Sequence, residues 1–252
     1  MTLEQTNKTI PNWDSTIVTN PQVTIVKGDD KTGNLYKLAN IQDFVNHVKF
    51  ADLVTADGGF DVSENYNEQE NQSYRLIYTE IICALSCLEK EGVFICKMFD
   101  CFEIRTIKLL WFISQLFTKV CITKPFTSRP ANSERYLIAK GFLGISKSYL
   151  QELQQIIPKL TNHPDMDIFS NTFVPIAFIN HIKQYITHVV MEQITNILLT
   201  FYLITHSVKQ QIYKLQLSYS IDWCRKFKHP ISNQCKQIQK NMNRHQWKHS
   251  WR

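Results

Sequence analysis

The sequence lacks the features that mark secreted and membrane-spanning proteins. Its first fifteen residues, MTLEQTNKTIPNWDS, contain no basic segment followed by an apolar one, so they do not resemble a secretory signal. The most apolar later stretch, ITNILLTFYLIT, follows Glu192 and Gln193 and is shorter than the roughly 20 residues that a bilayer-spanning helix needs. We therefore predict neither export nor contact with a membrane.

The sequence also lacks the cysteine spacing of a zinc site. Its seven cysteines include no pair separated by two residues, and most of them stand inside apolar runs. An odd number in such surroundings is typical of small buried side chains in a reducing compartment. Cys83 and Cys87 could share one helix face, but no second pair of ligands follows, so no metal is predicted.

Short apolar runs typical of strands alternate with longer runs at helical spacing between residues 22 and 145, and the apolar fraction of 44% is enough for a real core. This alternation predicts an α/β fold with a mostly parallel sheet and helices on both faces. The last two strands are joined by a loop too short for a crossover helix, so the last strand should be antiparallel. The predicted strands are 22–26, 50–56, 92–99, 119–125 and 135–142, and the predicted helices are 41–50, 67–91 and 103–117.

The remaining residues differ in composition from this first region. Residues 146–222 have helical apolar spacing and few strand signals, which predicts a helical extension that could also contact a protein partner. Residues 223–252 form a basic tail in which Asp222 is the nearest acid and tryptophans stand among lysines and arginines. Such a tail favours a polyanionic partner, although a merely solvated tail would have the same charge pattern. No repeat or long linker separates these regions, so residue 146 is a soft boundary.

Three polar residues lie at or near the ends of predicted strands, at the edge where an open parallel sheet binds its ligands. Asp57 follows FADLVTA, Lys97 lies within GVFICKMFD, and Glu134 lies in the turn TSRPANSERY before the last strand. Each has an ordinary explanation when taken singly: a turn aspartate, a solubilising lysine on an edge strand, and a loop charge. Three of them at the same end of one sheet predict a catalytic site.

The segments DLVTADGGFD, GVFICKMFD and KPFTSRPANSERYLIAKGF resemble the RrmJ/FtsJ-type RNA ribose 2′-O-methyltransferases. The likeness covers about residues 1–145 and is greatest to the mRNA cap methyltransferases of eukaryotes and of large cytoplasmic DNA viruses. It implies a Rossmann-like methyltransferase sheet, S-adenosylmethionine as cofactor and capped mRNA as substrate. A viral protein of this kind would act in the cytoplasmic factory of an infected cell and could enter the virion.

The resemblance also implies which side chains carry the chemistry. The family uses a Lys-Asp-Lys-Glu tetrad, and Asp57, Lys97 and Glu134 match its last three members. Lys97 would be the base that takes the ribose proton, because a neutral alcohol is a poor nucleophile. A lysine acts as a base at neutral pH only when burial or a neighbouring cation favours its neutral form, so the two carboxylates would aim it rather than activate it.

Other positions correspond to the family's cofactor and substrate contacts. Asn34 and Leu35, in DDKTGNLYKLANI, match its adenosine-contacting segment, with Asn34 in place of the usual aspartate, and Asp57 would also face the cofactor. The segment KTGN is otherwise simply a turn. Asn67 falls where the family contacts substrate, or it is a polar residue at a helix N-terminus. Within the turn, the predicted substrate contacts are Ser133, Glu134 and Arg135.

No segment of the sequence matches the family's first strand, its Gly-rich cofactor turn or its first lysine. The beginning MTLEQTN resembles the end of the family's second strand, so we expect an N-terminally shortened methyltransferase domain over residues 1–145. We also expect that residues 1–252 alone neither bind S-adenosylmethionine appreciably nor methylate RNA. The alternative to a methyltransferase is an inactive RNA-binding or scaffold protein built on a degenerate methyltransferase fold.

Overall fold

The computed structural model describes residues 15–59, 68–125, 128–206 and 209–231. All the described strands lie between residues 51 and 142, with helices before and between them, and the described elements after residue 142 are helices. In chain order the elements are α1 Ser15–Val18, α2 Leu38–Val48, β1 Ala51–Ala56, α3 Gln69–Cys87, β2 Leu88–Met98, α4 Ile104–Leu116, β3 Phe117–Thr123, β4 Arg135–Phe142, α5 Lys147–Gln154, α6 Ile156–Asn162, α7 Ile176–Thr205 and α8 Lys209–Lys226.

The described strands form one sheet in the order β1-β2-β4-β3. β1 is parallel to β2, whereas β4 is antiparallel to both of its neighbours, β2 and β3. β1, β2 and β3 therefore run in one direction and β4 in the other. This confirms the predicted α/β sheet with a reversed last strand, and it adds that β4 lies between β2 and β3.

The core forms where α3 and α4 pack against the sheet. Tyr78 and Ile82 of α3, Phe94 of β2 and Ile113 of α4 have no exposed surface. Hydrophobic burial of this kind is worth roughly 1.5–3 kcal/mol for each large side chain, so these contacts hold the strands in register. The ends of β1, β2 and β4 are thereby placed by a well-packed interior.

The predicted strand over residues 22–26 is wrong. This segment is irregular, although Val26 is buried. The amide of Val23 donates to the oxygen of Asn20, and the oxygen of Lys27 accepts from Gly33, so nearby backbone groups bond within turns. A strand needs hydrogen bonds from a neighbouring strand, and within the described residues none runs beside this segment.

The boundary between α3 and β2 also differs from the prediction. The helix ends at Cys87 rather than at Glu91, because Leu88 is already extended with φ −76° and ψ 132°. Glu91 has a positive φ of 65°, and the pairing with β1 shifts between Ala51–Leu88 and Leu53–Val93. The glycine at 92 therefore lies in an irregular part of the strand and not at a helix C-terminus.

Most of the described residues after 146 are helical, as predicted. Leu153, Ile157 and Leu160 of α5 and α6 belong to the same core as the sheet, and the Tyr78 hydroxyl donates to the Leu153 oxygen at 2.9 Å. The chain divides into two compact units between Ile194 and Thr195, within α7. The predicted domain boundary at 145/146 stays a prediction.

Within the second unit, the side chain of Trp223 packs against its own neighbours. Its ring centroid lies 5.1 Å from that of Phe227 and 5.0 Å from that of His229. Residues 232–252, which include Trp247 and Trp251 of the basic tail, lie outside the described residues. In the described ranges, no helix is long and apolar enough to cross a membrane, and no cluster of three His, Cys, Asp or Glu residues could hold a metal ion.

Candidate active site

The fold brings the ends of β1, β2 and β4 together. Asp57 directly follows β1, and Lys97 is the next-to-last residue of the neighbouring strand β2. In the antiparallel pairing of β2 with β4, Lys97 lies opposite Tyr136, so both side chains project from the same face of the sheet. Glu134 directly precedes β4 and therefore lies at the same edge.

Lys97 and Asp57 form a close ion pair. The Lys97 Nζ atom lies 2.9 Å from Asp57 Oδ1 and donates to the Asp57 backbone oxygen at 3.0 Å. The Lys97 side chain is 16% exposed and that of Asp57 is 70% exposed. The amine is therefore partly withdrawn from solvent, whereas the carboxylate remains open to a ligand.

Tyr136 connects this pair to Glu134. Its hydroxyl lies 3.1 Å from Glu134 Oε1 and 3.4 Å from Asp57 Oδ1. Burial raises the pKa of Tyr136 well above its usual value, and the two neighbouring carboxylates act in the same direction. The phenol therefore stays protonated and has a single O–H to donate, so the two carboxylates share one donor.

The polar turn before β4 is held by a second lysine. The Nζ atom of Lys124 donates to the backbone oxygens of Asn132 and Glu134, both at 2.9 Å, and to Asn132 Oδ1 at 2.7 Å. Partial burial lowers the pKa of Lys124, and the charge of Arg135 acts in the same direction. Lys124 thus fixes the backbone from which the Glu134 side chain projects.

The two residues that flank Glu134 make contacts inside the protein. The Ser133 hydroxyl donates to Gln69 Oε1 at 2.6 Å, which ties the turn to the start of α3. The Arg135 side chain is 3% exposed, and its Nη1 pairs with Asp100 Oδ1 at 2.8 Å. A substrate contact by Ser133 or Arg135 stays a prediction. The hydrogen bond of Ser133 and the ion pair of Arg135 position the turn.

The predicted adenosine-contacting segment forms its described hydrogen bonds with residues that are close to it in the chain. Asn34 Oδ1 accepts from the amide of Tyr36 at 2.9 Å, and the Asn34 backbone oxygen accepts from the Asn40 side chain at 3.0 Å. Leu35 is half-buried against the core. The predicted contacts of Asn34 and Leu35 with cofactor stay predictions, and Asn67 lies outside the described residues.

A glycine keeps the space beside the Lys97 amine open. A Cβ atom on Gly59 would lie 3.3 Å from Lys97 Nζ, so any larger residue would crowd the amine. A reacting hydroxyl must approach a base to hydrogen-bond distance, about 2.6–3.2 Å. The Asp57-Gly58-Gly59 segment therefore fits a site in which cofactor and substrate meet next to Lys97.

Three residues of this site were not predicted from the sequence: Tyr136, Lys124 and Glu80. Glu80 is a buried acid whose carboxyl accepts from the amide of Gly58 at 2.9 Å. The apolar surroundings of Lys124 in VCITKPF and of Glu80 in LIYTEIICAL were a usable signal, because charged residues are seldom buried without a partner. Tyr136 had no such signal, since a tyrosine in a strand is ordinary.

Comparison with known proteins gives matches over the same part of the chain. The FtsJ-like methyltransferase family matches residues 8–142. The cap-specific mRNA (nucleoside-2′-O-)-methyltransferase 1 of Trypanosoma brucei brucei is 40% identical over 131 residues, which are 51% of this chain and 35% of that relative. The enzyme of the same name from Homo sapiens is 38% identical over 161 residues, which are 60% of this chain and 19% of that relative.

The chain thus matches about a third or less of the length of these relatives. Among solved structures, a ribosomal RNA methyltransferase from Plasmodium falciparum is 23% identical and covers 47% of this chain and 61% of its own, with a TM-score of 0.35. That score is too low to support an argument about the fold. The family match spans more than half of the chain and contains Asp57, Lys97 and Glu134. The chain therefore belongs to the FtsJ-like methyltransferase family.

Proposed function

We propose that the site on this chain serves the transfer of a methyl group from S-adenosylmethionine to a ribose 2′-hydroxyl of RNA, on a nucleotide next to the cap of mRNA, when a first strand, a Gly-rich turn and a further lysine are supplied with it. The observation that supports the proposal most directly is the cluster at the strand ends. A partly withdrawn amine, Lys97, is paired with Asp57, and Tyr136 connects that pair to Glu134. A scaffold that only binds RNA has no need of this arrangement.

The chemistry requires a base next to the attacking hydroxyl. FtsJ-like methyltransferases in general depend on S-adenosylmethionine, which supplies an electrophilic methyl group on a sulfonium. The protein must then align the hydroxyl with that group and accept its proton as the new bond forms. Lys97 is placed for the second task, Asp57 orients it by an ion pair, and Glu134 is connected to that pair through the Tyr136 hydroxyl.

The cofactor would lie along the ends of β1 and β2. Asp57 is exposed enough to contact it, and Gly58 and Gly59 allow its close approach. Asn34 and Leu35 would contact the adenosine end, as the resemblance implies.

The RNA substrate is supported by the names of the relatives and by charge. The relatives act on capped mRNA by name. The net charge of +6 favours association with a polyanion. The cytoplasmic location and the viral origin stay predictions, as does the requirement for a first strand, a Gly-rich turn and a further lysine.

The test is methyl transfer, with radiolabelled S-adenosylmethionine and capped RNA, by a protein that joins residues 1–252 to a first strand, a Gly-rich turn and a further lysine, whereas residues 1–252 alone should show no transfer. Label should enter the capped RNA but not the same RNA with a 2′-O-methyl group already on its first nucleotides. Lys97→Ala should reduce transfer by at least about a thousandfold, and Lys97→Arg should not restore it, because a guanidinium does not give up its proton. RNA affinity should change little in both variants.

Lys90→Ala provides the control, since Lys90 is an exposed lysine on the same strand, β2. It should retain wild-type transfer. Lys97→Arg activity within tenfold of wild type would rule out Lys97 as the base. Tight RNA binding without any transfer by the wild-type protein would favour the non-enzymatic alternative.

A further inference from the structure

Glu80 lies on α3 beneath the turn that carries Asp57. Its Oε1 atom accepts from the Gly58 amide at 2.9 Å, and its Oε2 atom accepts from the Cys96 thiol at 3.6 Å. The residue is 6% exposed. Gly58 follows Asp57 and Cys96 precedes Lys97, so one buried carboxyl contacts the chain neighbours of both members of the ion pair.

The turn rests directly on this carboxyl. A Cβ atom on Gly58 would lie 2.4 Å from Glu80 Oε1, closer than real Cβ atoms approach other atoms. A glycine is therefore required here for contact with Glu80. Gly58 is half-buried, so loss of Glu80 would leave its amide without its protein acceptor.

We propose that Glu80 is a positioning residue that fixes the Asp57–Gly58 turn against β2, with its carboxyl beneath the Asp57–Lys97 pair. The role of Glu80 in catalysis rests on the proposed function, whereas its contact with the Gly58 amide does not.

The charge of Glu80 changes near neutral pH. Burial raises the pKa of Glu80 to about 7, and the negative charge of Asp57 acts in the same direction. The Gly58 amide, the Cys96 thiol and the charge of Lys97 oppose this rise. The carboxyl is consequently neutral below this pH and ionised above it.

The other groups near Glu80 that show a pKa shift stay protonated across this range. Burial raises the pKa of Cys96 well above its usual value and that of Cys83 to about 12. Burial also raises the pKa of Tyr36, which precedes α2 and senses the charge of Glu80. An ionised Glu80 therefore adds a second negative charge beneath the Asp57–Lys97 pair.

The Gly58 amide reports this change directly. Asp57–Gly58 is the one Asp-Gly step in the sequence, so labelling aspartate carbonyls with ¹³C and glycine nitrogens with ¹⁵N selects a single amide signal. In the wild-type protein this signal should move with pH, with a midpoint near 7. In Glu80→Gln the midpoint should disappear. The glutamine side chain keeps the shape and the acceptor oxygen of the protonated acid but does not ionise.

Glu70→Gln is a matched control. Glu70 is also a buried glutamate of α3 that accepts from backbone amides, those of Phe102 and Glu103 at the start of α4. The Gly58 signal should titrate in Glu70→Gln as in wild type. A Gly58 signal that does not titrate in the wild-type protein, or that still titrates in Glu80→Gln, would overturn the proposal.

Methyl transfer distinguishes positioning from simple stability. Glu80→Gln retains the acceptor for Gly58 and should stay within about tenfold of wild type, with a pH–rate profile that lacks the step near 7. Glu80→Ala removes the acceptor and should reduce kcat by about a hundredfold with a smaller change in KM, as expected when a catalytic group is displaced by about 1 Å. Equal activity of the two variants would overturn the positioning role. If the Gly58 signal behaves as expected while no variant transfers methyl groups, the proposed function fails and the contact stands.

Discussion

The buried carboxyl of Glu80 links the stability of the protein to pH. In the unfolded chain its pKa has the ordinary value of 4.5, whereas burial in the folded protein raises it to about 7. The folded state therefore holds this proton more tightly. The stabilising effect is complete below pH 4.5 and is lost as the pH rises through 7.

This difference gives a prediction for Glu80→Gln, whose side chain does not ionise. Each pKa unit is worth about 1.4 kcal/mol, so the free energy of unfolding of wild type should fall relative to the variant by roughly 3 kcal/mol between pH 4.5 and 8. Urea unfolding of both proteins across this range measures the difference. Parallel curves for the two proteins would show that Glu80 has no raised pKa.

At the scale of elements, one lysine side chain bonds the backbone of the turn between β3 and β4 at two positions. Lys124 stands just after β3 and donates to the backbone oxygens of Asn132 and Glu134. These oxygens belong to a segment without helix or strand, so their hydrogen bonds do not come from a regular ladder. The amine of Lys124 takes the place of that ladder.

Lys124→Met should therefore release the turn while it keeps most of the side-chain volume. We expect kcat for methyl transfer to fall by about a hundredfold, because Glu134 loses its fixed position, while the melting temperature changes by only a few degrees. Steady-state kinetics and thermal unfolding measure the two effects.

Lys119→Met is the matched control, since Lys119 lies on β3 close to Lys124 in the chain and is exposed. It should behave as wild type in both measurements. A Lys124→Met protein with full kcat would show that the turn keeps its shape without the lysine.

For the whole molecule, the distribution of charge predicts how RNA affinity depends on salt. Residues 232–252 contain five lysines and arginines and no acid. Removal of this segment leaves α8 intact, since that helix ends at Lys226. Each phosphate contact contributes a slope of roughly 0.7–0.9 to the plot of log K against log salt concentration, so the truncated protein should show a slope smaller by about 2–4.

The matched control for this truncation keeps the chain length and replaces the five basic residues by glutamine. It should reproduce the lower slope, because the effect comes from charge and not from the presence of the segment. Measurements of RNA affinity at salt concentrations from about 50 to about 300 mM, which include the physiological ionic strength, test this. An unchanged slope in both proteins would assign the tail to another role.

The sequence by itself determined most elements and the edge of the sheet where the chemistry lies. Hydrophobic periodicity is local, so α2, α4 and β4 could be predicted from their own residues. The positions of Asp57, Lys97 and Glu134 at strand ends followed from the same pattern, because parallel strands present their carboxyl ends at one edge. The short loop before β4 was enough to predict that this strand is reversed.

Only the tertiary structure decided how those elements meet. β4 lies between β2 and β3, which aligns Tyr136 with Lys97, and no local pattern encodes which strand edge a segment will choose. Residues 22–26 have strand-like composition but are irregular, because a strand exists only through hydrogen bonds to another strand. The contact of Glu80 with Gly58 joins residues 22 positions apart in the chain, and its burial depends on the packing of α3 against the sheet. A pKa and a hydrogen bond of this kind arise from the folded surroundings, which no single segment of the sequence contains.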